Sequence, residues 1–231
     1  MGMPTILAIE TSTELASAAL TVGTRILTRE ASGVQTHSHA LLPMVQSLFE
    51  EAGFTLAQCD AVAFGAGPGS FTGVRTACGV AQGLAFGLDL PLLPVVTLLA
   101  MAQACHELTG EQNVLCVLDA RMGEVYWAQY RHDGGWHTVI EPSLSAAAEV
   151  KPHGRVFACG NGLDAHRVGF EKQDFMKLAR FDCMPHARYI ALLAQADLEK
   201  GGAFAARDAQ PLYLRNKVAL TTSERSIRAA K

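Results

Sequence analysis

Apolar positions along the chain fall into short runs and helical stripes that alternate. Ile6-Leu7-Ala8-Ile9 is a continuous apolar run that stops at Glu10-Thr11-Ser12, and Ala16 to Val22 is a second run. Gly23-Thr24 separates it from Arg25 to Glu30, so this stretch predicts three strands with short turns, an antiparallel meander. Leu41, Leu42, Val45, Leu48, Phe49 and Ala52 then recur at spacings of three and four, which predicts a helix with Pro43 in its first turn and Gly53 as its C-terminal cap. Asp60 to Phe64 predicts a buried strand, and Gly65 to Gly69 a glycine-rich loop. A second helix opens at Thr72 or Gly73 and runs to about Phe86; Leu92 to Val96 is a strand and Thr97 to Leu108 a third helix.

The pattern restarts near Gly110. Val114 to Leu118 predicts a strand ending at Asp119, Arg121-Met122-Gly123 a turn, and Glu124 to Tyr130 and His137 to Ile140 further strands. Pro142 to Val150 reads as a short helix, Val156 to Cys159 as a strand and Ala187 to Lys200 as a helix. Two units that each open on strands and continue in helices predict a duplicated α/β fold. Residues 1–109 would form an N-terminal domain and residues 110–231 a smaller C-terminal one. No sequence repeat between the halves is strong enough to establish this alone.

An apolar fraction of 49% with 18% charged residues excludes a disordered or collagen-like chain. Nineteen basic against 22 acidic side chains leave a net charge of −3, too little basic surface for broad, non-specific nucleic-acid binding. The longest apolar stretch, Leu84 to Cys105, is broken by Asp89, Pro91 and Pro94, so no membrane span is expected. Met1 to Glu10 has no basic residue ahead of its apolar run and Ile6 breaks the myristoylation pattern, so a cytoplasmic protein is expected. Cys59, Cys78, Cys105, Cys116, Cys159 and Cys183 form no close pair, and are expected to be reduced and structural.

The segment Gly65-Ala66-Gly67-Pro68-Gly69-Ser70-Phe71-Thr72-Gly73 leads from a strand into a helix, where backbone N–H groups can bind an anion. It fails the standard motifs. The dinucleotide pattern from Gly67 needs glycine at Thr72, the P-loop needs lysine at Val74, and the nucleophile elbow around Ser70 needs glycine at Pro68 and Thr72. A tight strand-to-helix turn explains it as well. His37 and His39 form an H-x-H pair on what reads as an extended segment, with no further ligand nearby, so no metal is expected. Glu10 and Asp119 end the first strands of the two units, and paired acids facing one cleft would suit a metal–nucleotide. Gly79 and Gly83 in the second helix permit close approach of another backbone, from this chain or another. Beyond Pro211, Arg215, Lys217, Arg225, Arg228 and Lys231 face the single acid Glu224 in a basic tail able to touch RNA phosphates or simply to be solvated.

Three segments carry a resemblance over nearly the whole length: Ile6-Leu7-Ala8-Ile9-Glu10-Thr11-Ser12, Gly67-Pro68-Gly69-Ser70-Phe71-Thr72-Gly73-Val74-Arg75, and Leu118-Asp119-Ala120-Arg121-Met122-Gly123-Glu124-Val125-Tyr126. By these the chain resembles the bacterial TsaB (YeaZ) family of tRNA threonylcarbamoyladenosine synthesis. The resemblance implies two related α/β domains of the sugar kinase–Hsp70–actin superfamily, actin-like and RNase H-like, the second reduced. It implies a non-catalytic subunit that binds and activates the transferase TsaD, joined by the ATPase TsaE, dimeric when alone, and meeting tRNA through the complex. No cofactor or metal is implied. TsaD holds its metal with an H-x-x-x-H pair, and here Thr97 and Met101 occupy those positions, a hydroxyl and a thioether that cannot replace two imidazoles. The resemblance also implies a partner interface on two N-terminal helices, offering Leu42, Val45, Phe49, Gly79 and Gly83. The competing function is an ATP-dependent phosphotransferase or a peptidase of the same fold.

Overall fold

The computed structural model describes residues 2–32 and 37–215. Its centre is the first apolar run. Strand β1 (Ile6–Glu10) is buried on both faces, as a near-continuous apolar strand requires. It pairs antiparallel with β2 (Leu15–Val22), which pairs antiparallel with β3 (Arg25–Ser32). On its other side β1 pairs parallel with β4 (Ala61–Gly67), and β4 with β5 (Leu92–Val96), giving the order β3-β2-β1-β4-β5.

Alternate residues divide between two layers. Leu7, Ile9, Leu20, Val62 and Phe64 pack under helices α1 (His37–Ala52) and α2 (Phe71–Gly87). Ile6, Ala8, Ala19, Ala63 and Leu93 face the opposite way. Helix α3 (Thr97–Thr109) follows β5 and ends on Gly110, in the left-handed region at φ 75°.

The second sheet repeats the first. β6 (Asn113–Asp119) pairs antiparallel with β7 (Glu124–His132), β7 with β8 (Trp136–Ala146), and β6 pairs parallel with β9 (Phe157–Cys159), in the order β8-β7-β6-β9. This matches β3-β2-β1-β4 strand for strand, which establishes the duplicated actin-like α/β fold. One face packs on α3 through Leu98, Met101, Ala102 and Cys105. The other packs on short helices α4 (Gly162–Ala165) and α5 (Arg167–Phe170) through Leu163 and Phe170.

Helix α6 (Ala187–Glu199) leaves the second sheet and lies on the first, with Ala187, Ile190, Ala191 and Ala194 against β1, β2, β4 and β5. The Ala187 N–H donates to Ser17 Oγ at 2.9 Å. Packing therefore assigns part of the 110–231 stretch to the first sheet.

Two local expectations are corrected. Pro142 to Val150 is not a helix: β8 continues to Ala146 and only Ala147–Glu149 forms a 3-10 turn. As an edge strand with a register shift opposite Trp127 and Gln129, β8 tolerates a proline without an N–H. Helix α1 starts at His37, so Pro43 lies in its second turn and His37 and His39 are helical rather than extended.

Candidate functional site

The glycine-rich loop is occupied by the chain's own first strand. Ser70 N donates to Ser12 O at 2.7 Å, and Thr11 Oγ1 donates to Gly73 O at 2.7 Å. A Cβ at Gly73 would stand 1.9 Å from the Thr11 carbonyl oxygen, and one at Gly65 would stand 1.8 Å from Glu10 Oε2. Ser70 caps α2, its Oγ accepting from Gly73 N. Ser70 N and Gly73 N, two of the donors that could cradle an anion, are thus engaged within the protein, and the segment is a tight strand-to-helix turn.

Glu10 is completely buried. Its Oε1 accepts the Ser12 N–H at 2.5 Å, and Thr97 Oγ1 donates to its Oε2 at 3.4 Å while accepting from Gly67 N at 3.1 Å. Burial pushes the carboxyl above its ordinary range, and the Ser12 and Thr97 hydrogen bonds oppose this. Thr97 therefore braces Glu10 and the loop. Met101 is buried in the core between α3 and the second sheet.

A cleft of about 970 Å³ lies between the halves. Its walls come from the turn after β1, the Pro68–Phe71 loop, the end of β6 with its turn, α4, and Leu212–Arg215. Asp119 lines it, with Oδ1 3.0 Å from His166 Nε2 and Oδ2 3.3 Å from Arg121 Nη1. Glu10 is not part of the wall, so the two acids, whose facing the sequence left open, do not meet across the cleft. Arg121 reaches across to Glu14 at 3.0 Å. The C-terminal end of the described chain crosses from one half to the other. Leu212 N bonds Ala66 O at 2.7 Å, Leu214 packs on the second-sheet core, and Arg215 pairs with Glu124. Lys217, Arg225, Arg228 and Lys231 of the basic tail lie outside the described residues.

Neither His37 nor His39 lines this cleft. His37 is buried with Nε2 3.2 Å from Glu14 O, and His39 is exposed. Among the described residues no three or more His, Cys, Asp or Glu side chains are grouped so that they could hold a metal ion, and no helix is long and apolar enough to cross a membrane.

The outer face of α1 and α2 is a second candidate. Leu42 is 51% exposed, Phe49 is half-buried, and Gly79 and Gly83 are exposed with open space where a Cβ would project. Val45 does not belong with them: at 5% exposure it packs into the core beneath α1. Its place in the i, i+3, i+4 stripe with Leu41 and Leu48 turns it inward, which corrects its assignment to the outer face. Sequence reasoning missed Phe86, 78% exposed, and the exposed Phe71 and Arg75 on the same helix. The Arg75 guanidinium lies 3.2 Å from the Phe71 ring centroid and 4.8 Å from that of Tyr213. Their signal was present: positions 71, 75, 79 and 83 repeat at the four-residue spacing of one helix face.

The family model described as TsaD, tRNA N6-adenosine threonylcarbamoyltransferase, matches residues 25–220. The chain is 39% identical over 227 residues to tRNA threonylcarbamoyladenosine biosynthesis protein TsaB of Haemophilus influenzae, covering 93% of this chain and 94% of that one. It is 37% identical over 221 residues to the Escherichia coli protein of the same name, covering 93% and 96%. YeaZ from Pseudomonas aeruginosa superposes with a TM-score of 0.83 at 37% identity, covering 92% of this chain and all of that one. A second Pseudomonas aeruginosa structure, described as an uncharacterized protein similar to peptidase YEAZ, gives 0.86 at 37% identity and the same coverage. With that identity over nearly the full length of both chains, the chain belongs to the TsaB (YeaZ) family.

Proposed function

We propose that this protein serves formation of N6-threonylcarbamoyladenosine in tRNA as a non-catalytic subunit that binds and activates a TsaD-like transferase. The observation that supports the non-catalytic role is the engagement of the loop: Gly67 N, Ser70 N and Gly73 N, three donors a phosphate could use, are held by Thr97 Oγ1, Ser12 O and Ser70 Oγ. Thr97 and Met101, where the transferase would hold its metal, are committed to bracing Glu10 and filling the core. The outer face of α1 and α2 is the docking surface, with Leu42 and Phe49 as apolar contacts and Gly79 and Gly83 allowing close helix approach. The same face pairs two copies when the partner is absent. A TsaE-like ATPase joins the assembly, tRNA is met through the complex, and the protein works in the cytoplasm.

Gly83→Leu tests this reading. Overpacking a close helix contact costs about 1–3 kcal/mol, so affinity for the TsaD-like subunit should fall roughly tenfold or more. Melting of the monomer should be unchanged or rise, because leucine is the better helix former and its side chain enters open space. Normal binding by a folded variant removes this interface. Adenosine modification by the protein alone, given threonylcarbamoyl-adenylate and tRNA, removes the non-catalytic role.

A further inference from the structure

Helix α2 carries a single charge. Over its 17 residues Arg75 is the only ionised side chain. Its guanidinium rests against two rings, 3.2 Å from the Phe71 centroid and 4.8 Å from that of Tyr213. Tyr213 is fixed by its neighbours, since Leu212 N bonds Ala66 O and Leu214 packs on the second-sheet core. The rings restrain a side chain that would otherwise lose rotamer freedom when engaged. They leave its N–H donors unused: among the described residues Arg75 makes no ion pair and no hydrogen bond.

Helix α1 carries one charge of opposite sign in the same condition. Glu50 is exposed near its C-terminal end and accepts from Gln46 Nε2 at 2.8 Å. The adjacent Glu51 is paired with Arg29, whereas Glu50 has no ion pair among the described residues. Exposed Leu42, Gln46 and Glu50 follow one another at four-residue spacing on α1, as Arg75, Gly79 and Gly83 do on α2.

Topology sets where these two charges stand. β3 and β1 are each antiparallel to β2, and β1, β4 and β5 are parallel, so β3, β1, β4 and β5 all point one way. Helix α1 returns the chain from β3 to β4, and α2 returns it from β4 to β5. The two helices therefore run in the same direction, with Arg75 towards the start of the face and Glu50 at its end. A second copy can meet this face about a two-fold axis in two ways. With the helices of both copies parallel, Arg75 stands level with Arg75 and Glu50 with Glu50. With the helices reversed, each Arg75 comes to the end of the face that carries the other copy's Glu50. It also comes to the C-terminal, partially negative ends of the other copy's helices. Opposite charges meet only in the reversed pairing.

We propose that two copies of this chain pair through the outer faces of α1 and α2 with their helices reversed, Arg75 of each copy bound to Glu50 of the other. This rests on the docking face proposed above and adds to it an orientation and a charged contact that symmetry makes twice.

The test is sedimentation equilibrium of the full-length protein and its variants. Arg75→Glu and Glu50→Arg, both at exposed positions, should each weaken dimerisation about tenfold or more, because like charges then meet at both symmetric places. An equimolar mixture of the two variants restores both contacts and should associate within about threefold of wild type. Gly83→Leu distinguishes the charged contact from the face. If it dissociates the dimer while the charge variants dimerise normally, or while their mixture stays as weak as its components, the Arg75–Glu50 contact is wrong and the face stands. If neither Gly83→Leu nor the charge variants change dimerisation, the face falls with the contact. A wild-type protein that is monomeric at every concentration overturns the proposal. So does an Arg75→Glu protein that keeps self-association and loses only the TsaD-like subunit or tRNA.

Discussion

Gly73→Ala and Gly79→Ala place the same methyl group on one helix, and the structure demands opposite outcomes. At Gly73 the new Cβ meets the Thr11 carbonyl oxygen at 1.9 Å, a backbone atom held from both sides. Thr11 Oγ1 is bonded to Gly73 O, and the neighbouring Ser12 O accepts from Ser70 N, both at 2.7 Å. Relief needs more than an ångström of movement between β1 and α2. Overpacking costs about 1–3 kcal/mol, and each hydrogen bond broken in the process costs about 1 kcal/mol more. A total near 3 kcal/mol lowers the melting temperature of a domain of this size by about 6–12 °C. At Gly79 the Cβ meets nothing within 4 Å. Alanine there gains about 1 kcal/mol of helix propensity, a rise of about 2–4 °C. Circular dichroism melts of the two variants beside wild type decide it. A Gly73→Ala protein melting within 2 °C of wild type would refute the claim that the first strand fills the loop.

Val45→Ala and Leu42→Ala separate the two faces of α1: the buried valine should cost about 2 kcal/mol of monomer stability in urea unfolding. Leu42→Ala should stay within about 0.5 kcal/mol of wild type and weaken partner binding in a titration. Glu10→Gln tests the buried carboxyl, which folding holds above its unfolded value. A carboxyl raised in this way favours folding fully below its unfolded value and loses that contribution as pH rises through the folded one. The melting temperature of Glu10→Gln minus that of wild type should therefore grow from pH 4 to pH 8, and a constant difference contradicts it. Arg215→Ala and Glu124→Ala, singly and together, should show a coupling of about 0.5–1 kcal/mol in a double-mutant cycle, because their ion pair ties the end of the described chain to β7.

Much of the fold was legible because period and punctuation agreed. The β1–β3 meander, the Gly53 and Gly110 turns and the strand–glycine loop–helix of β4 and α2 are local statements, and local chemistry fixes them. Legibility failed where an element's partner lies far along the chain. Ala187, Ile190, Ala191 and Ala194 mark a helix with one apolar face, yet nothing in that stripe says that the face returns to the first sheet. Pro142 read as a helix start because its edge position in β8 is a property of sheet order, not of sequence. At the candidate sites the glycines were visible, but their uses were not. Glu10 and Asp119 share a place in the repeated topology, and only packing buries one and leaves the other on the cleft wall.

Helix α2 carries glycine for two different reasons, and the difference bears on function. At Gly73 the absent side chain is required from within, because the end of β1 occupies its place. The neighbouring contacts also engage Ser70 N and Gly73 N at the helix start, so part of the feature that looks most like a ligand cradle is spent on the protein's own packing. Gly79 and Gly83 have no such intramolecular reason: space is open at both. Two glycines in a helix interior cost about 2 kcal/mol relative to alanine, a cost that nothing packed against them within this chain offsets. Under the interface proposed above, a partner that approaches closely enough for a methyl group to intrude would account for that cost. Leu42 on α1 and Phe86 on α2 are exposed and would offer such a partner apolar area. The partner helix proposed above would meet these conditions.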